Sequence, residues 1–145
     1  MVYYVDNAVG PRIRLSAQRV RGAFRLSVDE LSGQRLYSCI QCGMCSSGCP
    51  MAEEMDILPS AIMRLCQLGL EEEVLNCKTI WICASCFMCT TRCPKGIDIA
   101  AVMDALRQKA LAAGVDHFGP DQIPPEQAAE VPQPGLVGVY RKLAT

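Results

Sequence analysis

Residues 39–50 read CIQCGMCSSGCP, and residues 83–94 read CASCFMCTTRCP. Each run packs four cysteines into the pattern C-x2-C-x2-C-x3-C and closes on a proline. Eight thiols in two matched runs constrain the chain more than any other feature, because one small fold must bring each set to a common purpose. Ten cysteines in 145 residues would suggest a disulfide framework in a secreted protein. The N-terminal MVYYVDNAVGPRIRL has no basic start, apolar core and small-residue cleavage site, so secretion is not expected. No apolar run approaches the roughly 18 to 20 residues of a spanning helix. A reducing, cytoplasmic setting without direct membrane insertion is the expectation, and there clustered cysteines bind metal or do redox work.

The spacing selects among metals. Three thiolates at three-residue intervals wrap three corners of a [4Fe–4S] cube, while the fourth cysteine is carried past it. In two-cluster ferredoxins that fourth cysteine ligates the other cluster. The predicted ligands are therefore crossed: Cys39, Cys42, Cys45 and Cys93 for cluster 1, and Cys83, Cys86, Cys89 and Cys49 for cluster 2. Pro50 and Pro94 fix φ and help turn the chain between clusters. Gly43 and Gly48 are expected to let backbone amides approach the sulfurs. Four-cysteine zinc sites usually use two separated C-x2-C knuckles, a poorer match. Cys66 and Cys77 lie outside both runs; Cys66 is read as a buried structural thiol, and no spare site exists for Cys77 to complete. Met44 and Met88 are read as packing groups. His117, the one histidine, is read as a surface residue.

The runs belong to an internal repeat with an offset of 44 residues. Tyr37 and Trp81 precede them at equivalent positions, and an Asp-Ile pair follows each and opens a helix. In the first half, Asp56 is the expected N-cap, Pro59 lies in the first turn, and Leu58, Ala61, Ile62, Leu65 and Cys66 form one face. Gly69 stops that helix, and Glu71 to Glu73 suit the start of the next. In the second half Asp98 caps, Ile99, Val102, Met103, Leu106 and Ala110 line one face, and Gly114 ends it.

Outside this repeat the signals are weaker. Residues 1–26 are read as an irregular arm with a possible strand at Ile13, Leu15 and Ala17. It carries Arg12, Arg14, Arg19, Arg21 and Arg25, which suit either an acidic partner or a solvated face. Ser27 to Glu30 read as a weak capping box opening residues 27–114, the di-cluster domain. Residues 115–145 are read as an extended proline-rich tail, a linker or an arm laid along a partner, because Pro120, Pro124, Pro125, Pro132 and Pro134 interrupt it. A net charge of −1 gives no electrostatic case for nucleic-acid binding.

With YSCIQCGMCSSGCP and IWICASCFMCTTRCPKGIDI in view, the chain resembles the iron–sulfur electron-transfer subunit (the C subunit) of heterodisulfide reductase over about residues 27–114. The resemblance implies an all-α fold, an α-helical ferredoxin holding two [4Fe–4S] clusters. It also implies a non-catalytic electron-transfer subunit of an oxidoreductase complex in anaerobic metabolism such as methanogenesis. Electrons would arrive from the flavin/iron–sulfur subunit of that complex. They would pass to its disulfide-reducing subunit, which reduces the heterodisulfide of coenzyme M and coenzyme B, or another acceptor. The same module is similar to part of the succinate dehydrogenase and fumarate reductase iron–sulfur subunits, but no cysteine precedes Cys39 to supply their [2Fe–2S] site. The paired CC motifs of the disulfide-reducing subunit are absent as well. The rival readings are a subunit feeding a membrane quinone or haem enzyme, a freestanding ferredoxin, and a structural zinc protein.

Overall fold

The computed structural model describes residues 15–112, 114 and 122–143. The chain divides into two units, one ending at Ala112 and one running from Ala113 to Thr145. Among the described residues there is no strand, so the expected all-α class holds.

The first unit begins with α1 (Ala17–Val20) and α2 (Ala23–Ser32). Ala17 is therefore helical; Ile13, Arg12 and Arg14 lie outside the described residues. The helix expected to open at Ser27 starts at Ala23 instead. Ser27 sits in its second turn, with the hydroxyl donating to the Phe24 carbonyl rather than capping an end. Gly33 closes α2 in the left-handed conformation (φ 65°). A 3-10 turn at Leu36–Ser38 leads into the first cysteine run, which contains α3 (Met44–Ser47). Next come α4 (Pro59–Leu68), α5 (Glu71–Leu75) and α6 (Thr79–Ile82), then α7 (Met88–Thr91) inside the second run and α8 (Ile99–Ala112).

The long helices form for the reasons their sequences give. Pro59 occupies the first position of α4, where its missing N–H is no loss. Gly69 ends α4 at φ 71°, its N–H bonded to the Cys66 carbonyl. Three glutamates fill the first turn of α5, at the positive end of its dipole. Asp98 caps α8 by accepting from the Ala101 N–H at 3.1 Å. Asp56 does not cap α4, whose N-cap position is Leu58. Its carboxylate reaches across to α6, accepting from the N–H groups of Lys78 (2.8 Å) and Thr79 (2.9 Å).

The core is one cluster of α2, α4, α5, α6 and α8 side chains, with Val28, Ile62, Met63, Cys66, Val74, Ile80, Val102, Met103 and Leu106 fully or almost fully buried. Truncating any large member to alanine costs about 2–5 kcal/mol. Leu36 and Ile80, each three residues ahead of a first cysteine and each with no exposed surface, pin the entries of the two runs into this core. The runs therefore hang from a rigid helical frame at equivalent points.

The second unit is not extended throughout, as its prolines had suggested. It contains α9 (Pro125–Ala128) and α10 (Gln133–Leu143). Pro125 lies in the first turn of α9, and Pro134 is the second residue of α10, so both stand where a missing N–H breaks no helical bond.

Candidate metal centres

The two runs repeat in backbone as well as in sequence. Gln41 and Ser85, one offset apart, have φ of 58° and 49°; Gly43 and Phe87, the next such pair, have φ of 79° and 62°. Left-handed residues thus flank the second cysteine of each run, Cys42 and Cys86. Such alternation curls the chain and turns successive N–H groups to one side, a concavity of the kind found at iron–sulfur sites. Each curl ends in a single helical turn, α3 or α7, carrying the third cysteine. Gly43 takes the left-handed φ of the curl. Gly48 does not: its φ is −108°, and what its missing Cβ admits is the Arg92 side chain.

The curls and the crossing segments enclose two cavities. Cys39, Cys42, Cys45 and Cys93 line the first, with Met44, Met63, Ile97 and Ile99. Cys49, Cys83, Cys86 and Cys89 line the second, with Met55, Met88 and Met103. Each cavity thus gathers three cysteines of one run and the last cysteine of the other. Among the described residues no three cysteine, histidine or acidic side chains converge on one point fit for a single metal ion. Four thiols spread around an apolar cavity suit a group that offers separate irons to separate sulfurs, as a cube does.

Local chemistry agrees with such a group. The Gln41 side-chain amide donates to Cys39 Sγ at 3.4 Å, and the Ile97 N–H donates to Cys93 Sγ at 3.4 Å. Burial pushes the Cys45 thiol up to about 11, opposed by hydrogen bonding from Ser46 and reinforced by nearby Cys39. Burial raises the equivalent Cys89 thiol in the same way, with Thr90 opposing. A bare thiolate is disfavoured at both positions.

Several bracing residues were invisible in the motif. Gln67, almost fully buried on α4, donates from Nε2 to the carbonyls of Leu36 (2.8 Å) and Cys39 (3.1 Å). Arg107 on α8 donates from Nη1 to the carbonyls of Ile80 (2.9 Å) and Cys83 (3.4 Å), and from Nη2 to Ser85 Oγ (3.2 Å). Under each single-turn helix lies a second brace. The Ser46 hydroxyl meets Ser60 Oγ at 2.8 Å, and the equivalent Thr90 hydroxyl meets Asp98 Oδ1 at 2.9 Å.

The remaining expectations fall on both sides of the described region. Cys66 and Cys77 are buried in the core and line neither cavity. Burial pushes the Cys66 thiol up to about 12, so it is inert. Met44 and Met88 pack at the cavity walls. His117 lies outside the described residues. Among those described, no helix is long and apolar enough to cross a membrane.

Comparison with known proteins follows the same line. Residues 35–97 match the family described as a 4Fe-4S dicluster domain. The chain is 32% identical over 91 residues to the C subunit of the H(2):CoB-CoM heterodisulfide,ferredoxin reductase of Methanothermobacter marburgensis, covering 63% of this chain and 49% of that protein. It is 38% identical over 79 residues to the iron-sulfur C subunit of the CoB--CoM heterodisulfide reductase of Methanopyrus kandleri, covering 54% of this chain and 41% of that protein. The chain therefore spans about half the length, or less, of these curated relatives. The domain match and the cysteine content support the expected cofactors, two [4Fe–4S] clusters, and the coarse expectation of an iron–sulfur electron-transfer module. Residues 35–97 are thus similar to a 4Fe-4S dicluster domain, and among the chain's relatives are iron–sulfur C subunits of heterodisulfide reductase.

Proposed function

We propose that this chain is the electron-relay subunit of a heterodisulfide-reductase-like complex, working in the cytoplasm. It would hold cluster 1 on Cys39, Cys42, Cys45 and Cys93 and cluster 2 on Cys83, Cys86, Cys89 and Cys49. The observation that carries this reading is the grouping of the thiols, three from one run and one from the other around each cavity. Crossing ties the two halves together, so neither cluster is held by one half of the repeat alone. Each [4Fe–4S] group supplies one-electron exchange. The protein's residues supply position: the core anchors Leu36 and Ile80, the braces Gln67 and Arg107, and the left-handed curls fix where the sulfurs stand.

The partners are a flavin/iron–sulfur protein upstream and a disulfide-reducing protein downstream, the other two members of a heterodisulfide-reductase-like assembly. Supporting this is the likeness to two iron–sulfur C subunits, each named as part of a heterodisulfide reductase. Anaerobic affinity purification of the tagged chain from its native host, with mass spectrometry of what co-elutes, tests it. A flavoprotein and a chain with paired CC motifs are expected. A membrane anchor or haem subunit would make the chain the feed of a quinone-linked enzyme. No stoichiometric partner would make it a freestanding ferredoxin.

A further inference from the structure

The two halves of the repeat brace their cysteine runs at equivalent atoms with different charges. Leu36 and Ile80 are repeat counterparts, as are Cys39 and Cys83. In the first half the two carbonyls accept from the neutral amide of Gln67. In the second half they accept from the guanidinium of Arg107. Gln67 and Arg107 are not at the repeat offset, so position alone did not copy one from the other; the shared feature is the pair of carbonyls each reaches.

We propose that Arg107 is the positioning residue that sets the reduction potential of the second cluster above the value a neutral brace would give. The inference rests on the crossed two-cluster reading. Reduction adds one electron to a cluster, taking [4Fe–4S] from the 2+ to the 1+ state, and a fixed cation beside the ligand loop favours the electron-rich state. Arg107 qualifies because its charge is permanent, its side chain is only 19% exposed, and it is bonded to the carbonyl of Cys83 itself.

The neighbouring charges do not cancel this. Asp104 pairs with Arg107 at 3.3 Å, but its side chain is 57% exposed and screened by water. Asp98 lies in the same surface groove, where it caps the N-terminus of α8 and so faces that helix's positive end. At the first cavity Lys95 stands on the lining but is exposed and so screened by water, and the exposed Arg64 reaches only the far oxygen of Gln67, at 3.4 Å. The half-buried guanidinium is therefore the strongest fixed charge on either brace. It biases an electron shared between the clusters towards the second.

The test is an EPR-monitored redox titration, with dithionite as reductant, of the reconstituted full-length chain and of Arg107→Gln, which gives the second half the neutral brace of the first. The expected result is that one midpoint falls, by about tenfold in the reduced-to-oxidised ratio or about 59 mV for a one-electron couple, while the other stays. The midpoint that moves should persist in Cys42→Ala and be lost in Cys86→Ala. Arg107→Lys keeps the charge without the fork and should return the midpoint to the wild-type value. A brace that acts only by shape would make Lys and Gln behave alike, which overturns the proposal. So would unchanged midpoints in Arg107→Gln. Should Arg107→Gln fail to hold iron, Arg107→Lys is compared with the wild type, and a fallen midpoint despite the retained charge overturns the proposal. A wild-type chain with fewer than two reducible clusters would instead overturn the two-cluster reading, and this inference with it.

Discussion

The side chain of Arg92 lies against Gly48, its own counterpart in the repeat: a Cβ built on Gly48 would stand 2.5 Å from Arg92 Nη1 and 2.8 Å from Cδ. Each precedes a crossing cysteine, Cys49 or Cys93. The single-turn helices α3 and α7 are in contact here, and the two crossing cysteines line different cavities, Cys49 the second and Cys93 the first.

Two glycine substitutions separate a soft contact from a hard one. Gly48→Ala meets only a flexible, exposed side chain, and should cost under about 1 kcal/mol with iron content unchanged. Gly69→Ala places its Cβ 2.1 Å from the Arg19 carbonyl oxygen and sits at φ 71°. It should cost about 1–3 kcal/mol, since backbone cannot step aside and the left-handed conformation adds strain. Denaturant unfolding of both variants checks the order.

Phe87 holds a left-handed conformation that its counterpart Gly43 adopts without strain, and the residue is 53% exposed. Such strain costs a residue with a Cβ roughly 1–2 kcal/mol. Phe87→Gly should therefore be more stable than Phe87→Ala, because alanine loses the ring and keeps the strain. Melting temperatures in the reverse order would show that the curl is not strained at this point.

Asp56 links the loop before α4 to the start of α6. Burial works to raise its pKa, but the donors Lys78 N–H, Thr79 hydroxyl and N–H, and Ile57 N–H together outweigh it and hold the carboxyl below its usual value. A depressed folded pKa contributes stability that is present above the unfolded value, near 4, and is lost as pH falls through the folded value. Asp56→Ala should cost about 0.5–1 kcal/mol at pH 7, the size of an exposed helix cap. The gap between wild type and variant should narrow below about pH 4. Denaturation followed by helical circular dichroism checks this, and a gap constant from pH 7 to pH 3 would contradict it.

Cys66→Ala should leave iron and sulfide content intact, since the thiol is buried among Val28, Ile62 and Leu106 in the core cluster rather than at a cavity. The small cavity it leaves should cost about 1 kcal/mol. Loss of iron equal to one cluster would make Cys66 a ligand.

The cysteine runs, their repeat and the helices that follow them were legible because each rests on local spacing and capping residues. Asp98 and Gly69 act where the sequence placed them. Asp56 was misplaced because an acid just ahead of Pro59 reads as a cap, while its true donors, Lys78 and Thr79, are distant in sequence. Ser27 misled in the same way, by resembling a cap inside a helix that Gly22 had already begun. Pro125 and Pro134 suggested extended chain, yet both fall in the first turn of a helix, where proline is welcome. Gln67 and Arg107 carried no signal, because bracing distant carbonyls needs only reach, and no fixed spacing records it.

The crossing of the ligands is tested most directly by EPR of reduced Cys49→Ala beside Cys42→Ala and Cys86→Ala. Cys49 lies in the first run but lines the second cavity with Cys86. The crossed assignment predicts that Cys49→Ala loses the same signal as Cys86→Ala and keeps the one that Cys42→Ala loses. Loss of the Cys42-dependent signal would mean that each run holds its own cluster, and the account of two interlocked halves would fall.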